Sequence, residues 1–268
     1  MRLAISNIGW DKEQDYTVYE LMKKYGFSGI EIAPTRWVQE NPYDNVQKAV
    51  EISDKLRKEY GIAVSSMQSI WYGRNERIFV SEERKILVDY TKKAIDYAAE
   101  IGCKNLVFGS PRNRNIEESW NLSGKDIETI EEEFFGEIGE YAQKAGVVVA
   151  MEANPPIYNT NYVNGTMEAM TLAQRINSEG FKVNLDFGTI IANKEAISEL
   201  TGYAGLIHHV HISEPGLQKI QSRPEHEELA SYLRKNKYEG FVSIEVGKQE
   251  SINEIEMMMK YVAEVFHD

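Results

Sequence analysis

The chain has 268 residues, with 30 Lys and Arg against 42 Asp and Glu and a formal charge of -12. That balance works against a large nucleic-acid footprint, whose affinity comes from cations that neutralise phosphates. One cysteine, Cys103, excludes an internal disulfide and a thiolate zinc site and fits a reducing, cytoplasmic setting.

No segment approaches the roughly 18 apolar residues of a membrane helix. The opening MRLAISNIGWDKEQD turns acidic after Trp10 and does not read as a signal peptide. Hydrophobic residues make up 42% of the chain, enough for a large core. With 19 Gly and 7 Pro and no composition break, one domain spanning 1–268 is expected.

Short β-branched runs alternate with longer amphipathic segments from end to end. The runs are LAIS at Leu3, GIEIA at Glu31, AVSSM at Val64, NLVFG at Val107, VVVAME at Val148, VNLDF at Leu185, IHHVHI at Val210 and FVSIEV at Ile244. Their length and continuous apolar character suit strands buried on both faces. Between them the periodicity predicts helices over 16–25, 46–60, 82–101, 125–145, 167–179, 196–204, 225–238 and 252–266. Six of these run into a glycine, at Gly26, Gly61, Gly102, Gly146, Gly180 and Gly205, the usual left-handed helix stop. Ser81, Ser123, Asn193 and Ser251 stand where N-caps belong.

Eight strand–helix units of about 33 residues imply a parallel sheet with helical crossovers, and eight of them suggest a closed (β/α)8 TIM barrel. The alternative is an open doubly wound sheet. Such a sheet normally carries a glycine fingerprint after its first strand, where this chain reads SNIGWDKEQ.

Barrel chemistry sits at the C-terminal ends of the strands. The polar residues there are Asn7, Glu31, Gln68, Glu152, Asp186, His211 and Glu245, with Gly109 at strand four. Glu152, Asp186, His211 and Glu245 follow one another at spacings of 34, 25 and 34 residues, one from each of four adjacent strands. Three carboxylates converging on one point repel, and a divalent cation removes that cost. One imidazole with three carboxylates is a hard, oxygen-rich set suited to Mn2+ or Mg2+, tolerant of Co2+ and able to take Zn2+. The competing reading leaves the four as unrelated strand-end groups.

Strand alternation puts His209 and His211 on one face, with His209 a layer deeper, and turns His208 toward the helices. His226 and His267, in helical segments, read as surface residues. Other candidates for the mouth are Trp10, Glu31, Gln68, Trp71, Arg112, Arg114, Asn154 and Glu214. Arg112 and Arg114 can bind a phosphate or carboxylate, or else pair with Glu117 or Glu118. Trp10 and Trp71 can stack on a ligand or pack as a lid. Glu31 and Gln68 can line the wall opposite the acids, or Glu31 can pair with a base. The asparagine- and tyrosine-rich loop NPPIYNTNYVNG suits a hydroxylated ligand, though turns use asparagine too.

The strings AMEANP, NLDFGT, HVHISEP, KYEGFVSIE and LVFGSPRNR resemble the xylose isomerase-like TIM-barrel superfamily, in element order over the whole chain. That superfamily includes ketose 3-epimerases, hydroxypyruvate isomerase, inosose dehydratases and apurinic-site endonucleases. The resemblance implies one bound Mn2+ or similar ion on Glu152, Asp186, His211 and Glu245. It also implies acid/base roles for Glu152 and Glu245, acting through a metal-stabilised enediolate, and a possible homodimer. The expected activity is isomerisation or epimerisation of a small sugar or sugar derivative, with no nucleic-acid or membrane partner.

Two positions depart from the family pattern. Thr189 stands where a His is common, and the stretch SEPGLQK carries no Arg before Arg223. A metal-dependent dehydratase and a non-catalytic sugar-binding barrel are the rival readings. The endonuclease reading needs further strand-end histidines, where this chain has Gln68, Gly109 and Thr189.

Overall fold

The computed structural model describes residues 1–267. Eight parallel strands close into a barrel, each paired with the next and the last with the first. They are β1 (Arg2–Ser6), β2 (Phe27–Ile32), β3 (Ala63–Met67), β4 (Asn105–Phe108), β5 (Val148–Glu152), β6 (Phe181–Asp186), β7 (Ile207–Ile212) and β8 (Phe241–Ile244). All eight predicted runs form strands. Because helices cover the outside and side chains fill the inside, both faces of each strand are buried and the sequence runs are continuously apolar.

The helices are α1 (Asp15–Lys24), a short α2 (Pro34–Trp37), α3 (Val46–Tyr60), α4 (Ser81–Glu100), α5 (Gly124–Ala145), α6 (Thr166–Ile176), α7 (Phe187–Asn193), α8 (Pro224–Lys235) and α9 (Ile252–Phe266). Four of the six predicted glycine stops, Gly26, Gly61, Gly102 and Gly146, take the left-handed conformation. Gly180 does something else. Asn177 ends α6 in the left-handed region, while a Cβ on Gly180 would stand 2.0 Å from the Gly139 carbonyl oxygen on α5. Glycine is needed there for close approach rather than for a turn. Of the predicted caps, Ser123 makes a side-chain bond, in a reciprocal box with Asp126.

The connection between β6 and β7 departs from expectation. The segment 196–204 holds the short 3-10 turn Ile197–Leu200 and the start of a second, Ala204–Leu206, and the helix lies earlier, at Phe187–Asn193. Asp186 is the cause. As N-cap of α7 it accepts the amide hydrogens of Gly188 and Thr189, so the helix starts as the strand ends.

Histidine placement differs too. Between Val183 and Asn184 the pairing slips, so Val183 faces Ile207 while Asn184 faces His209. The bulge breaks the alternation at His208. Its Nδ1 lies 2.7 Å from Asn105 Oδ1 on β4, three strands away, so the ring turns across the lower end of the barrel and not toward the helices. His226 is fully buried, against the Phe187 ring at 4.2 Å and the Tyr261 hydroxyl at 2.8 Å. The α8 segment packs its His226 face inward alongside Leu229, Ala230 and Leu233. His267 is exposed, as expected.

Candidate active site

Glu152 ends β5, Asp186 ends β6, His211 lies near the end of β7 and Glu245 follows β8 directly. The register sets Asp186 beside His211, and His211 beside Ser243 two residues before Glu245. One ligand atom from each of the four lies within 4.8 Å of the others, and all four residues are buried. His211 Nδ1 is 3.0 Å from Glu152 Oε1 and 3.2 Å from Glu245 Oε2.

The electrostatics show what the cluster costs. Burial, with Glu152 and Glu31 nearby, pushes the Glu245 carboxyl up to about 7 despite the opposing pull of His211. Burial and then Glu152 also raise Asp186, against the help of His211, Ser213 and Thr189. Burial disfavours a charged His211, but Glu31 and Glu245 overcome it and hold the imidazole well above its ordinary pKa. Such a group of buried like charges carries a standing repulsion that a divalent cation at the shared point would remove, taking the place of the Nδ1 proton. Three carboxylates and one imidazole within reach of a common centre fit a single divalent cation.

Each of the four residues is held from behind. Asp186 receives the Thr189 amide at 2.8 Å, the Ser213 hydroxyl and the Gly188 amide. A Cβ on Gly188 would meet Ser213 Oγ at 2.5 Å, so the glycine keeps that contact open. Asn184 Nδ2 lies 2.8 Å from Glu152 Oε1 and 3.2 Å from His211 Nδ1. Arg114, wholly buried, donates to the Glu152 carbonyl at 2.8 Å and to Asn154 Oδ1 at 2.7 Å. Asn154 Nδ2 in turn donates to Glu152 Oε2 at 3.1 Å. Gln68 Nε2 lies 3.0 Å from Glu245 Oε1, 2.8 Å from Ser6 Oγ and 3.2 Å from Glu31 Oε1.

A cavity of about 280 Å³ opens above the acids. Glu152, Asp186 and Glu245 form its polar floor; Gln68, Trp71, Arg112 and Asn154 stand around it, with Tyr158 and Tyr72 nearer the rim. Four expected mouth residues do not line it. Trp10 is buried, with Nε1 2.8 Å from Asp15. Glu31 lies deeper in the barrel, against His211. Arg114 sits behind Glu152. Glu214 takes a two-pronged contact from Arg223, at 2.7 and 2.6 Å, which ties the loop after β7 to the start of α8. A larger recess of about 510 Å³ at the opposite, N-terminal end of the barrel includes His208 and Asn105 but none of the four cluster residues.

The sequence profile of the family described as xylose isomerase-like TIM barrel matches residues 19–261. The chain belongs to this family. The barrel superposes on a 3-keto-D-glucoside 4-epimerase from E. coli with a TM-score of 0.77 at 18% identity, covering 98% of this chain and 99% of that one. It superposes on a D-psicose 3-epimerase crystallised with D-fructose at 0.74 and 17% identity, covering 100% and 91%. A third neighbour is the IolI protein, whose structure carries a zinc atom, at 0.71 and 16% identity over 100% of both chains. At these identities the superpositions show a shared fold. A comparison with curated protein sequences finds no match.

Against the family pattern, Thr189 does not face the cavity. It is fully buried, and its hydroxyl stands 2.8 Å from both Asp186 Oδ2 and the Ala153 carbonyl oxygen. Arg223, the first Arg after His211, is turned away to Glu214. The cavity's cation comes instead from the loop after β4: among the described residues that line it, Arg112 is the one positive side chain. Asn184 and Ser213 are part of the site but were not singled out in the sequence. Each stands two residues from a cluster residue, Asn184 before Asp186 and Ser213 after His211, so strand alternation was the available signal.

Proposed function

We propose that this family member is a divalent-metal-dependent isomerase or epimerase of a small sugar or sugar derivative. The observation that carries the reading is the convergence of Glu152, Asp186, His211 and Glu245 on one point, with the three carboxylates at the floor of a cavity. The four residues would hold the ion, with Mn2+ preferred for an oxygen-rich set, and the ion would supply Lewis-acid stabilisation of negative charge developing on substrate oxygens.

Glu152 and Glu245 are the proton-transfer groups. Both reach the cavity and both flank His211. Either carboxylate could take a substrate proton and return it. Asp186 is saturated by hydrogen bonds from Thr189, Gly188 and Ser213 and serves as a ligand only. Tyr72 and Tyr158 offer ring surface to a hydroxylated ligand. Arg112, with five donors on the cavity wall and no carboxylate partner among the described residues, suits a substrate with an acidic substituent.

The test is incubation of the Mn2+-loaded protein in heavy water with a panel of ketoses, keto-glycosides and their acidic derivatives. The expected result is deuterium at a carbon beside the carbonyl, reduced at least about 100-fold in Glu152→Gln. Full exchange by Glu152→Gln would remove that residue as a base. Binding without exchange would make the protein a sugar-binding barrel, and a product lighter by one water would make it a lyase.

A further inference from the structure

Glu31 lies on β2 one residue before its end, is fully buried and stays out of the mouth cavity. We propose that it is a positioning residue: its carboxylate accepts the Nε2 hydrogen of His211 and so commits the Nδ1 lone pair to the cation. This rests on the reading of the four-residue cluster as a metal centre.

Glu31 fixes the Nε2 end of the ring. Glu31 Oε2 is 2.7 Å from His211 Nε2. An ionised carboxylate can only accept, so the hydrogen sits on Nε2. On the other side, Asn184 approaches Glu152 Oε1 at 2.8 Å, which obliges the amide to present its NH2 group there. The same NH2 lies 3.2 Å from His211 Nδ1. Nδ1 is the nitrogen that faces Glu152 and Glu245. A neutral imidazole has one N–H, so fixing it at Nε2 leaves Nδ1 as the ligand atom.

Glu31 is itself fixed. Gln68 Nε2 stands 3.2 Å from its Oε1. His209 Nε2 stands 3.4 Å from its Oε2, a contact too poorly aligned for a hydrogen bond. The His209 ring meets the His211 ring edge-on at 5.3 Å and 85°, which limits how far the imidazole can rotate. A carboxylate behind a ligating histidine sets ring orientation and raises the basicity of the ligating nitrogen. Glu31, His209 and His211 also place ligand atoms within 4.8 Å of one another, so a second ion on Glu31 is the competing arrangement.

The measurement pairs Mn2+ titration with nitrogen-15 NMR of histidine-labelled, Zn2+-loaded protein. In the wild type we expect one ion per chain, a proton on His211 Nε2 and none on Nδ1. In Glu31→Gln we expect a Mn2+ dissociation constant raised about 10–100-fold and a shifted Nε2–H resonance, with Glu31→Asp intermediate. The proposal is overturned by an ion on Nε2 in the wild type, which needs no variant to fold. An unchanged dissociation constant and resonance in Glu31→Gln would overturn it too, even with a lower melting temperature, since a merely structural role predicts that result. Two ions per chain, with the second lost in both Glu31→Gln and His209→Gln, would make Glu31 a ligand instead. A wild type that takes up no Mn2+, Co2+ or Zn2+ would sink the metal reading itself.

Discussion

Replacing Arg114 with Met tests whether Glu152 is held by a buried cation. Arg114 is fully buried, and burial holds its guanidinium down to about 10 despite the nearby Glu152 charge. Met has similar length and no polar atoms to satisfy. It leaves the Glu152 carbonyl oxygen and Asn154 Oδ1 without their donors at 2.8 and 2.7 Å. Each buried acceptor left unpaired costs about 1–3 kcal/mol. Relief of the guanidinium's desolvation offsets part of that, for a net loss of about 3 kcal/mol. Unfolding entropy of about 2.1 cal/mol/K per residue makes this a fall of about 5 °C in Tm for a chain of this length.

Asn154 also loses the anchor through which it orients Glu152 Oε2, so Mn2+ affinity should drop with stability. Calorimetry of the metal-free protein reads the first effect and metal titration the second. Arg114→Lys should recover less than half of either, since an ammonium on a flexible stem does not reproduce the planar fork. A Tm within about 1 °C of wild type, with unchanged Mn2+ binding, would refute the argument.

Gly109→Ala should separate site from fold. The new Cβ would sit 2.8 Å from Glu152 Oε2, the far end of a flexible side chain, so the carboxylate moves while the backbone stays. Equilibrium unfolding should shift by less than about 1 kcal/mol, while Mn2+ affinity and exchange activity fall at least about 10-fold. Arg112→Ala should raise KM for acidic sugar derivatives and leave neutral ketoses unaffected; an equal change for both would remove the anion role.

His226 predicts acid sensitivity. Burial pushes its pKa down to about 4. The Tyr261 hydroxyl accepts the Arg223 amide and lies 2.8 Å from His226 Nδ1. The unfolded chain takes up the proton below about 6.5 and the folded one resists until about 4. Stability is therefore complete above pH 6.5 and falls by about 3 kcal/mol on acidification through that window. His208, also held near 4, acts in the same direction. Urea unfolding of the metal-free protein at pH 7, 6 and 5 should show a shallower decline in His226→Gln than in the wild type. Parallel slopes would exclude His226 as a source.

The strands were legible because each is a short, mostly apolar run that precedes an amphipathic segment. The four cluster residues were legible for a related reason: a carboxylate or imidazole at the end of an apolar strand has few places to point but the mouth. What supports them was not. Asn184 looks like any polar residue inside a strand until Glu152 and His211 are seen on either side of it. Arg114 reads as a loop cation beside Arg112, yet one fills the core behind Glu152 and the other faces the cavity. The sequence offered Glu117 or Glu118 as a partner for these arginines, but Glu117 pairs with Arg77.

Local chain chemistry determined the alternation of strands and helices and the residue types at the strand ends, because periodicity and capping act over a few neighbours. Tertiary structure alone decided which way His208, His226 and Thr189 face. A bulge, a helix face packed inward and the Ala153 carbonyl that takes the Thr189 hydroxyl are set by contacts between segments distant in sequence, and no local pattern encodes those. The same distance separates Glu31 from His211, 180 residues apart in the chain and 2.7 Å apart in the barrel.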